Sequence, residues 1–184
     1  VYKRQHCGRG EEYIIGEGYH IYKSEAVGTA ALGGVIPQTV PVLEDGSIDI
    51  EVAIGKVKSD DMHFPRTKLL CLENTYNGKP LSPKYMQCAT AAARKVNLRS
   101  HLDGARLMNA AIANKCTPRE LASSFDTVSL GLSKGLGAPV GSVLVGNQDF
   151  INEARRVRKM LGGGMRQAGI LAACGIVCLL YTSP

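Results

Sequence analysis

Short apolar runs alternate with stretches of helical periodicity along this chain, and that alternation limits its possible folds more than any other feature. The helical patterns cover residues 49–58, 82–97, 105–115 and 118–125. The apolar runs, which predict strands, are "EEYIIGE" (11–17), "TAALGGVIP" (29–37), "TKLLCLEN" (67–74), "NLRSHLDG" (97–104), "DTVSLGL" (126–132) and "GSVLVG" (141–146). Buried strands separated by helices are typical of parallel sheets. The sequence therefore predicts an α/β fold of three layers, a mostly parallel sheet with helices on both faces.

The charge balance does not indicate a nucleic-acid partner. The chain has 184 residues, 45% of them hydrophobic and 21% charged, as in ordinary soluble proteins, with a net charge of +6. Much of the excess lies in "ARRVRKM" (154–160), where basic residues follow a helical period with Val157 and Met160 between them. No nucleic-acid motif or aromatic platform accompanies this charge. We interpret the segment as a solvated or subunit-facing helix surface.

The six cysteines indicate a reduced, cytoplasmic protein. They form no C-x-x-C pair, and several lie within apolar runs, as cysteines used as small hydrophobic residues do. Cys174 and Cys178 lie one helical turn apart, but no His/Cys pair nearby completes a metal site. The apolar stretch 168–181 is too short to span a bilayer, so we expect a packed helix over 167–180, partly exposed in this length of chain, and no membrane partner.

Polar residues follow three of the predicted strands, where ligands bind in parallel sheets. Each residue taken alone is most simply a solvated loop residue, but together they converge on one edge of one sheet. These residues are Glu73 and Asn74, then Asp103, Gly104 and Arg106, then Ser133 and Lys134. The sequence therefore predicts a cofactor site at this edge.

Asp103 and Lys134 form a pair that suits pyridoxal phosphate. This cofactor needs a lysine to bind its aldehyde and a carboxylate to keep its ring nitrogen protonated. A phosphate-binding lysine is the main chemical alternative, but the Walker pattern places glycines before the lysine and Ser/Thr after it. Here Ser133 precedes Lys134 and "GLG" follows it. The spacing therefore disfavours the phosphate-binding alternative.

Several longer motifs carry a resemblance to a known family. They are "RGEEYIIGEGYHIY", "TKLLCLENTYNGK", "HLDGARLMNAA", "SLGLSKGLGAPVGSVLVG" and "RKMLGGGMRQAGILAA". The chain resembles the low-specificity L-threonine aldolases, within the β-eliminating lyase group of fold-type-I pyridoxal phosphate enzymes, almost without interruption from His6 to Ile176. The resemblance implies aldol cleavage of L-threonine or L-allo-threonine to glycine and acetaldehyde, with pyridoxal 5'-phosphate as cofactor. It also implies a small β-hydroxy-α-amino acid substrate and a homo-oligomer, dimer or tetramer, at full length.

The resemblance assigns three residues to the cofactor's reactive groups. Lys134 matches the lysine that forms the imine with the cofactor aldehyde, and Asp103 matches the partner of the pyridine nitrogen. Arg106 matches an active-site arginine near the cofactor hydroxyl and the substrate carboxylate.

Three further assignments rest on the resemblance alone. His20 matches the histidine that stacks on the cofactor ring, and His63 matches a second active-site histidine near the substrate side chain. Arg166 matches an arginine that reaches a cofactor phosphate across a subunit boundary. Either histidine, or a water molecule held by one, could take the proton from the substrate hydroxyl, and the sequence does not choose between them.

The sequence departs from the family pattern at one internal position and at both ends. Tyr76 stands where the family commonly has a histidine. We expect residues 6–180 to form a partial pyridoxal phosphate-binding large domain, with the phosphate-binding loop before it and a small domain after it in the family. We expect 1–5 and 181–184 to be non-native ends. A related β-eliminating amino-acid lyase and a non-catalytic fragment remain as alternatives.

Overall fold

A computed structural model of the protein describes residues 6–181. In this range a six-stranded sheet has the order β2-β1-β3-β4-β5-β6. All neighbouring strands run parallel except β5 and β6, which form an antiparallel hairpin. The strands are β1 (Glu12–Gly16), β2 (Ile36–Val40), β3 (Thr67–Glu73), β4 (Arg99–Gly104), β5 (Thr127–Gly131) and β6 (Ser142–Val145). The predicted mostly parallel sheet is confirmed.

The helices cover the sheet because its central strands are apolar on both faces. All five residues of β1 and the last five of both β3 and β4 are buried. The connection from β1 to β2 runs in one direction along the sheet, and the later connections run in the other. Right-handed crossovers therefore place helices on both faces. The helices are α1 (His20–Lys23), α2 (Gly28–Ala31), α3 (Ile50–Gly55), α4 (Pro83–Lys95), α5 (Leu107–Asn114), α6 (Pro118–Ala122), α7 (Gln148–Met160) and α8 (Gly169–Tyr181).

Local sequence signals fix where the covering helices begin. Ser82 caps α4 by accepting a hydrogen bond from the backbone N–H of Tyr85 at 3.2 Å, and Pro83 occupies the first helical turn. Thr117 and Glu120 form a reciprocal capping box at α6. The buried side of α4 repeats at helical spacing, with Met86, Ala89, Thr90 and Ala93 facing inward.

The predicted strand over 29–37 is wrong. Residues Gly28–Ala31 form α2, and the strand begins only at Ile36. The alanines favour a helix, and the Gly33–Gly34 pair ends it, with Gly34 in the left-handed region at φ +64°. The apolar run thus contains a helix end and a strand start, which periodicity alone does not separate.

The last helix, α8, is packed against the fold only along a narrow line. Gly175 is its buried residue, and a Cβ there would lie 2.9 Å from Leu132 Cδ1. Ile170 is 79% exposed and Leu180 is 70% exposed. Among the helices of residues 6–181, none has the length and apolar character required to cross a membrane. The predicted non-native ends lie outside the described residues, except for Tyr181 at the end of α8.

Candidate active site

A cleft of about 210 Å³ lies at the edge where the parallel strands end. The chain leaves β1 toward β2 on one side and leaves β3 toward β4 on the other. The ends of β1 and β3 therefore flank a crevice, which is where α/β sheets bind ligands. The lining residues are Gly18, His20, Lys23, Ser24, Glu73, Thr75, Asn77, Asp103, Ala105, Arg106 and Lys134.

Asp103 provides a buried carboxylate in the wall of the cleft. It is the penultimate residue of β4, pairs in register with Glu73 of β3, and is only 6% exposed. Its Oδ1 accepts a hydrogen bond from the backbone N–H of Ala105 at 3.0 Å. The carboxylate is therefore held by the strand and by the turn that follows it.

Lys134 lies in the loop of the β5–β6 hairpin and reaches the same cleft. Backbone hydrogen bonds of 3.0 Å, from Leu132 N to Gly141 O and from Gly137 N to Lys134 O, close this loop. A Cβ at Gly135 would lie 2.0 Å from Asn109 Oδ1, so the loop fits against α5 only with glycine there. The lysine is exposed but stands on a loop that its surroundings fix.

His20 begins α1, Arg106 immediately precedes α5, and both residues line the cleft. The turn before His20 is closed by a 3.0 Å hydrogen bond from Tyr19 N to Gly16 O. The His20 ring lies with its Nε2 2.6 Å from Glu25 Oε1, on the exposed side. Arg106 is the residue that precedes α5 and is exposed. The cleft thus combines an imidazole, a guanidinium, an amine and a buried carboxylate.

Glu73 is a second buried carboxylate in the cleft; the sequence predicts it at this edge but assigns it no specific role. It is 8% exposed, and its Oε2 accepts a hydrogen bond from the backbone N–H of His20 at 2.6 Å. Burial, aided by the neighbouring Asp103, raises the pKa of Glu73 to about 7, against the opposing effects of the His20 backbone bond, His20 and Lys134. Its position at the end of a buried strand was the available signal.

The structure does not bring His63 or Arg166 to this cleft. His63 precedes β3, at the edge where strands begin, and its Nδ1 lies 2.7 Å from Asp61 Oδ1 on the surface. Arg166 is exposed in the segment between α7 and α8. The predicted role of His63 gains no support from its position in this chain, and the role of Arg166, predicted across a subunit boundary, stays a prediction.

Tyr76, the predicted departure from the family pattern, lies beside the turn that carries His20. Its ring centroid is 5.6 Å from that of Tyr19, at a tilted angle. A Cβ at Gly18 would lie 2.4 Å from the Tyr76 hydroxyl. The tyrosine therefore supports the wall of the cleft from behind and requires glycine at position 18.

The chain is similar in sequence to proteins named as low-specificity L-threonine aldolases. The chain is 52% identical over 174 residues to a low-specificity L-threonine aldolase of Escherichia coli, covering 95% of this chain and 52% of that protein. It is 46% identical over 180 residues to a probable low-specificity L-threonine aldolase of Arabidopsis thaliana, covering 95% and 51% respectively. The chain spans about half the length of these curated relatives.

The fold and the family agree with these relatives. The structure of a threonine aldolase from Leishmania major superposes with a TM-score of 0.84 at 25% identity, over 98% of this chain and 54% of that one. The family model described as beta-eliminating lyase matches residues 1–183. With a parallel sheet whose carboxyl edge carries the cleft, and with a family match along nearly its whole length, this chain belongs to the beta-eliminating lyases.

Proposed function

We propose that the protein takes part in pyridoxal phosphate-dependent aldol cleavage of L-threonine or L-allo-threonine, yielding glycine and acetaldehyde. The observation that carries this proposal is the convergence of His20, Asp103, Arg106 and Lys134 on one cleft. The reaction is taken from the names of two relatives that are 52% and 46% identical to this chain over 174 and 180 matched residues.

The residues of the cleft fit pyridoxal phosphate by their chemistry. Lys134 supplies the amine that would hold the cofactor aldehyde, and Asp103 supplies a buried carboxylate that would keep a proton on the ring nitrogen. The imidazole of His20 would cover the ring. The cofactor, when bound, supplies an electron sink for the bond that breaks at the amino-acid α-carbon.

The remaining groups act on the substrate and its protons. Arg106 would bind the substrate carboxylate through its guanidinium, which matches carboxylates in a two-pronged arrangement. His20, or a water molecule held by it, would take the proton from the β-hydroxyl group so that the aldehyde can leave. Of the two histidines that the sequence left open, only His20 lines the cleft.

Product identification tests the proposal. The whole protein with pyridoxal phosphate is incubated with L-threonine and, separately, L-allo-threonine, and acetaldehyde and glycine are measured. Equal amounts of both products support aldol cleavage. Release of ammonia and a keto acid would instead indicate a related β-eliminating lyase, and absence of turnover with no visible cofactor absorbance would indicate a non-catalytic protein.

The proposal includes a cytoplasmic homo-oligomer. Cys7 and Cys71 belong to the hydrophobic core, where they are packed as small apolar side chains. This use of cysteine suits a reducing compartment, in which disulfides are rare. The exposed apolar side chains of α8, including Ile170 and Leu180, form a surface of the kind that subunits or further domains cover. Light scattering of the whole protein with cofactor measures the subunit count, and a monomer would contradict this part.

A further inference from the structure

Glu73 lies at the crevice between the ends of β1 and β3, from which the chain continues to opposite sides of the sheet. It is the last residue of β3, next to the end of β1, and its side chain faces the cleft while being only 8% exposed. A carboxylate so poorly hydrated is costly to ionise unless neighbouring groups compensate. The neighbours of Glu73 therefore indicate why the residue is placed there.

The strongest contact of Glu73 is with the backbone of His20. The His20 N–H donates to Glu73 Oε2 at 2.6 Å, across the gap between the ends of β1 and β3. This bond fixes the first residue of α1, a helix of four residues with no side-chain cap from Tyr19. The bond adds a side-chain anchor for His20 to a turn that is otherwise held by the backbone bond from Tyr19 N to Gly16 O and by the buried Tyr19 ring.

His20 has a second carboxylate partner, which contacts its ring and not its backbone. Glu25 lies 2.6 Å from Nε2, but the side chains of Glu25 and His20 are 60% and 52% exposed. Exposed ion pairs contribute little because water screens them. The buried bond to Glu73 is therefore the firmer of the two contacts that His20 makes with carboxylates.

The charged and titratable groups around Glu73 come from every element that faces it. Asp103 approaches from β4, Lys134 from the β5–β6 hairpin, and His20 and Tyr19 from the segment after β1. Lys134 and His20 favour the ionised carboxylate, whereas burial and Asp103 oppose it, so its pKa rises to about 7. The carboxyl group thus changes charge near neutral pH.

Glu12, a buried carboxylate outside the cleft, provides a comparison because its role in this fold is structural. Glu12, at the start of β1, is fully buried and is bound by Lys58 Nζ and Thr67 Oγ1, both at 2.6 Å. Its partners neutralise it at the edge of the sheet opposite the cleft. Glu73, in contrast, binds the backbone of a cleft residue and lines the cleft itself.

We propose that Glu73 is a positioning residue of the active site, whose carboxylate holds the backbone of His20 and thereby sets the place of the imidazole in the cleft. The inference rests on the proposed function. An ionised acceptor makes a stronger hydrogen bond than a neutral one. His20 is therefore held firmly above pH about 7 and less firmly below it.

The test is Glu73→Gln in the whole protein loaded with pyridoxal phosphate. Gln keeps the shape and an acceptor oxygen but removes the charge and the titration. We expect kcat to fall about fivefold on the alkaline side, from the loss of a charge-assisted hydrogen bond, with a much smaller change in KM. The acid limb of kcat with a midpoint near pH 7 disappears, and the visible circular dichroism of the bound cofactor changes and no longer varies across that midpoint.

Glu51→Gln is the matched control, because Glu51 is an exposed carboxylate on α3, away from the cleft. It should leave the pH profile and the circular dichroism as in the wild type. A Glu73→Gln protein with the wild-type pH profile and circular dichroism would overturn the inference alone. A wild-type protein that neither binds the cofactor nor cleaves threonine would overturn the proposed function and the inference with it.

A direct titration decides the case if Glu73→Gln does not fold. The side-chain carboxyl carbon of Glu73 is followed by NMR in the wild-type protein with cofactor, together with the backbone amide of His20. The inference requires both signals to shift together with a midpoint near pH 7. A carboxyl that titrates near the ordinary value of about 4.3, or a His20 amide that does not respond, overturns it.

Discussion

Histidines and carboxylates occur both at the edge of the sheet where the strands begin and at the edge where they end, but their surroundings differ. At the edge where the strands begin, Thr127 Oγ1 lies 2.7 Å from His6 Nε2 and 2.8 Å from His101 Nδ1. Asp126 accepts hydrogen bonds from the backbone N–H and the hydroxyl of Ser100 at 2.7 and 2.8 Å. The two histidines therefore share Thr127 as a partner and the Asp126 carboxylate is bound to Ser100, so these groups are partnered within the fold.

At the edge where the strands end, the polar groups line an open cleft. Lys134 and Arg106 are exposed there, and the buried carboxylates of Glu73 and Asp103 face the same space. Burial disfavours the charged form at both edges, since it lowers the pKa of His6 to about 4 and raises that of Glu73 to about 7. The groups described at the strand-start edge therefore stabilise the fold, whereas those at the strand-end edge are available for chemistry, although the residue types are similar.

The largest expected effect is at the cleft edge. Lys134→Ala should abolish the visible absorbance of bound cofactor and lower aldol cleavage by several orders of magnitude, because the amine that we propose to hold the cofactor is lost. The free energy of unfolding without cofactor should stay within about 0.5 kcal/mol, since the side chain is exposed. Lys84→Ala on the surface of α4 is the control. Retained absorbance and activity in Lys134→Ala would reduce the lysine to a solvated loop residue.

A matched pair of substitutions tests the comparison directly. Asp103→Asn should reduce kcat about a hundredfold while the cofactor still binds, because the ring nitrogen loses the charge that maintains its proton. Asp126→Asn should leave kcat unchanged and lower the free energy of unfolding by about 2 kcal/mol, through its hydrogen bonds to Ser100. Steady-state kinetics and urea unfolding measure the two effects. If both variants lost activity and stability in the same proportion, the two edges would not differ as described.

How far the sequence anticipates this arrangement depends on the kind of signal. The strands β1, β3, β4 and β5 were predictable because buried strands of a parallel sheet read as apolar runs, and the exposed, antiparallel β6 was predictable from its valines and leucine between two glycines. The short α2 was not, because alanines and glycines inside an apolar run carry two competing propensities.

The candidate site shows the same division. Asp103 and Lys134 could be selected because they follow neighbouring strands, and the strands' order then brings them to one cleft. The contact of Glu73 with the His20 backbone could not be predicted from the sequence. It joins the ends of β1 and β3, and the local sequence does not encode the pairing of these strands. His63 was selected by resemblance alone, and in this chain it lies at the other edge.

Acid should weaken the strand-start edge through His6. Burial, then Arg99, lowers the pKa of His6 to about 4, against the opposing charge of Asp126. Since the unfolded value is about 6.5, the unfolded state binds the proton first, so stability is full above pH 6.5 and is lost as the pH falls toward 4. We expect a loss of about 2 kcal/mol across this range, reduced from the full linkage value by partial exposure. His6→Gln should flatten that slope in urea titrations, and an unchanged slope would assign the acid sensitivity to other groups.

The smallest effect is expected at the hydroxyl that joins the two histidines. Thr127→Val keeps the shape but removes the oxygen that contacts His6 and His101, and should lower the free energy of unfolding by about 1 kcal/mol. Catalysis should not change, because the residue is buried at the edge away from the cleft. Ser142→Ala, at an exposed hydroxyl of β6, should have a smaller effect on the same measurement. A change in kcat for Thr127→Val would show that the two edges are coupled.

The combination of antiparallel and parallel strand pairs in the sheet also affects the order in which its parts fold. The β5–β6 hairpin joins near neighbours in the chain, so the loop of Lys134 can form early in folding. The carboxylates opposite it depend on parallel pairing of β1, β3 and β4, which requires long crossovers to close and is intrinsically slow. A ligand that needs both the lysine and these carboxylates therefore binds only after the last parallel strands have joined. The return of such binding during refolding marks completion of the sheet, and the bound ligand then protects it from unfolding by mass action.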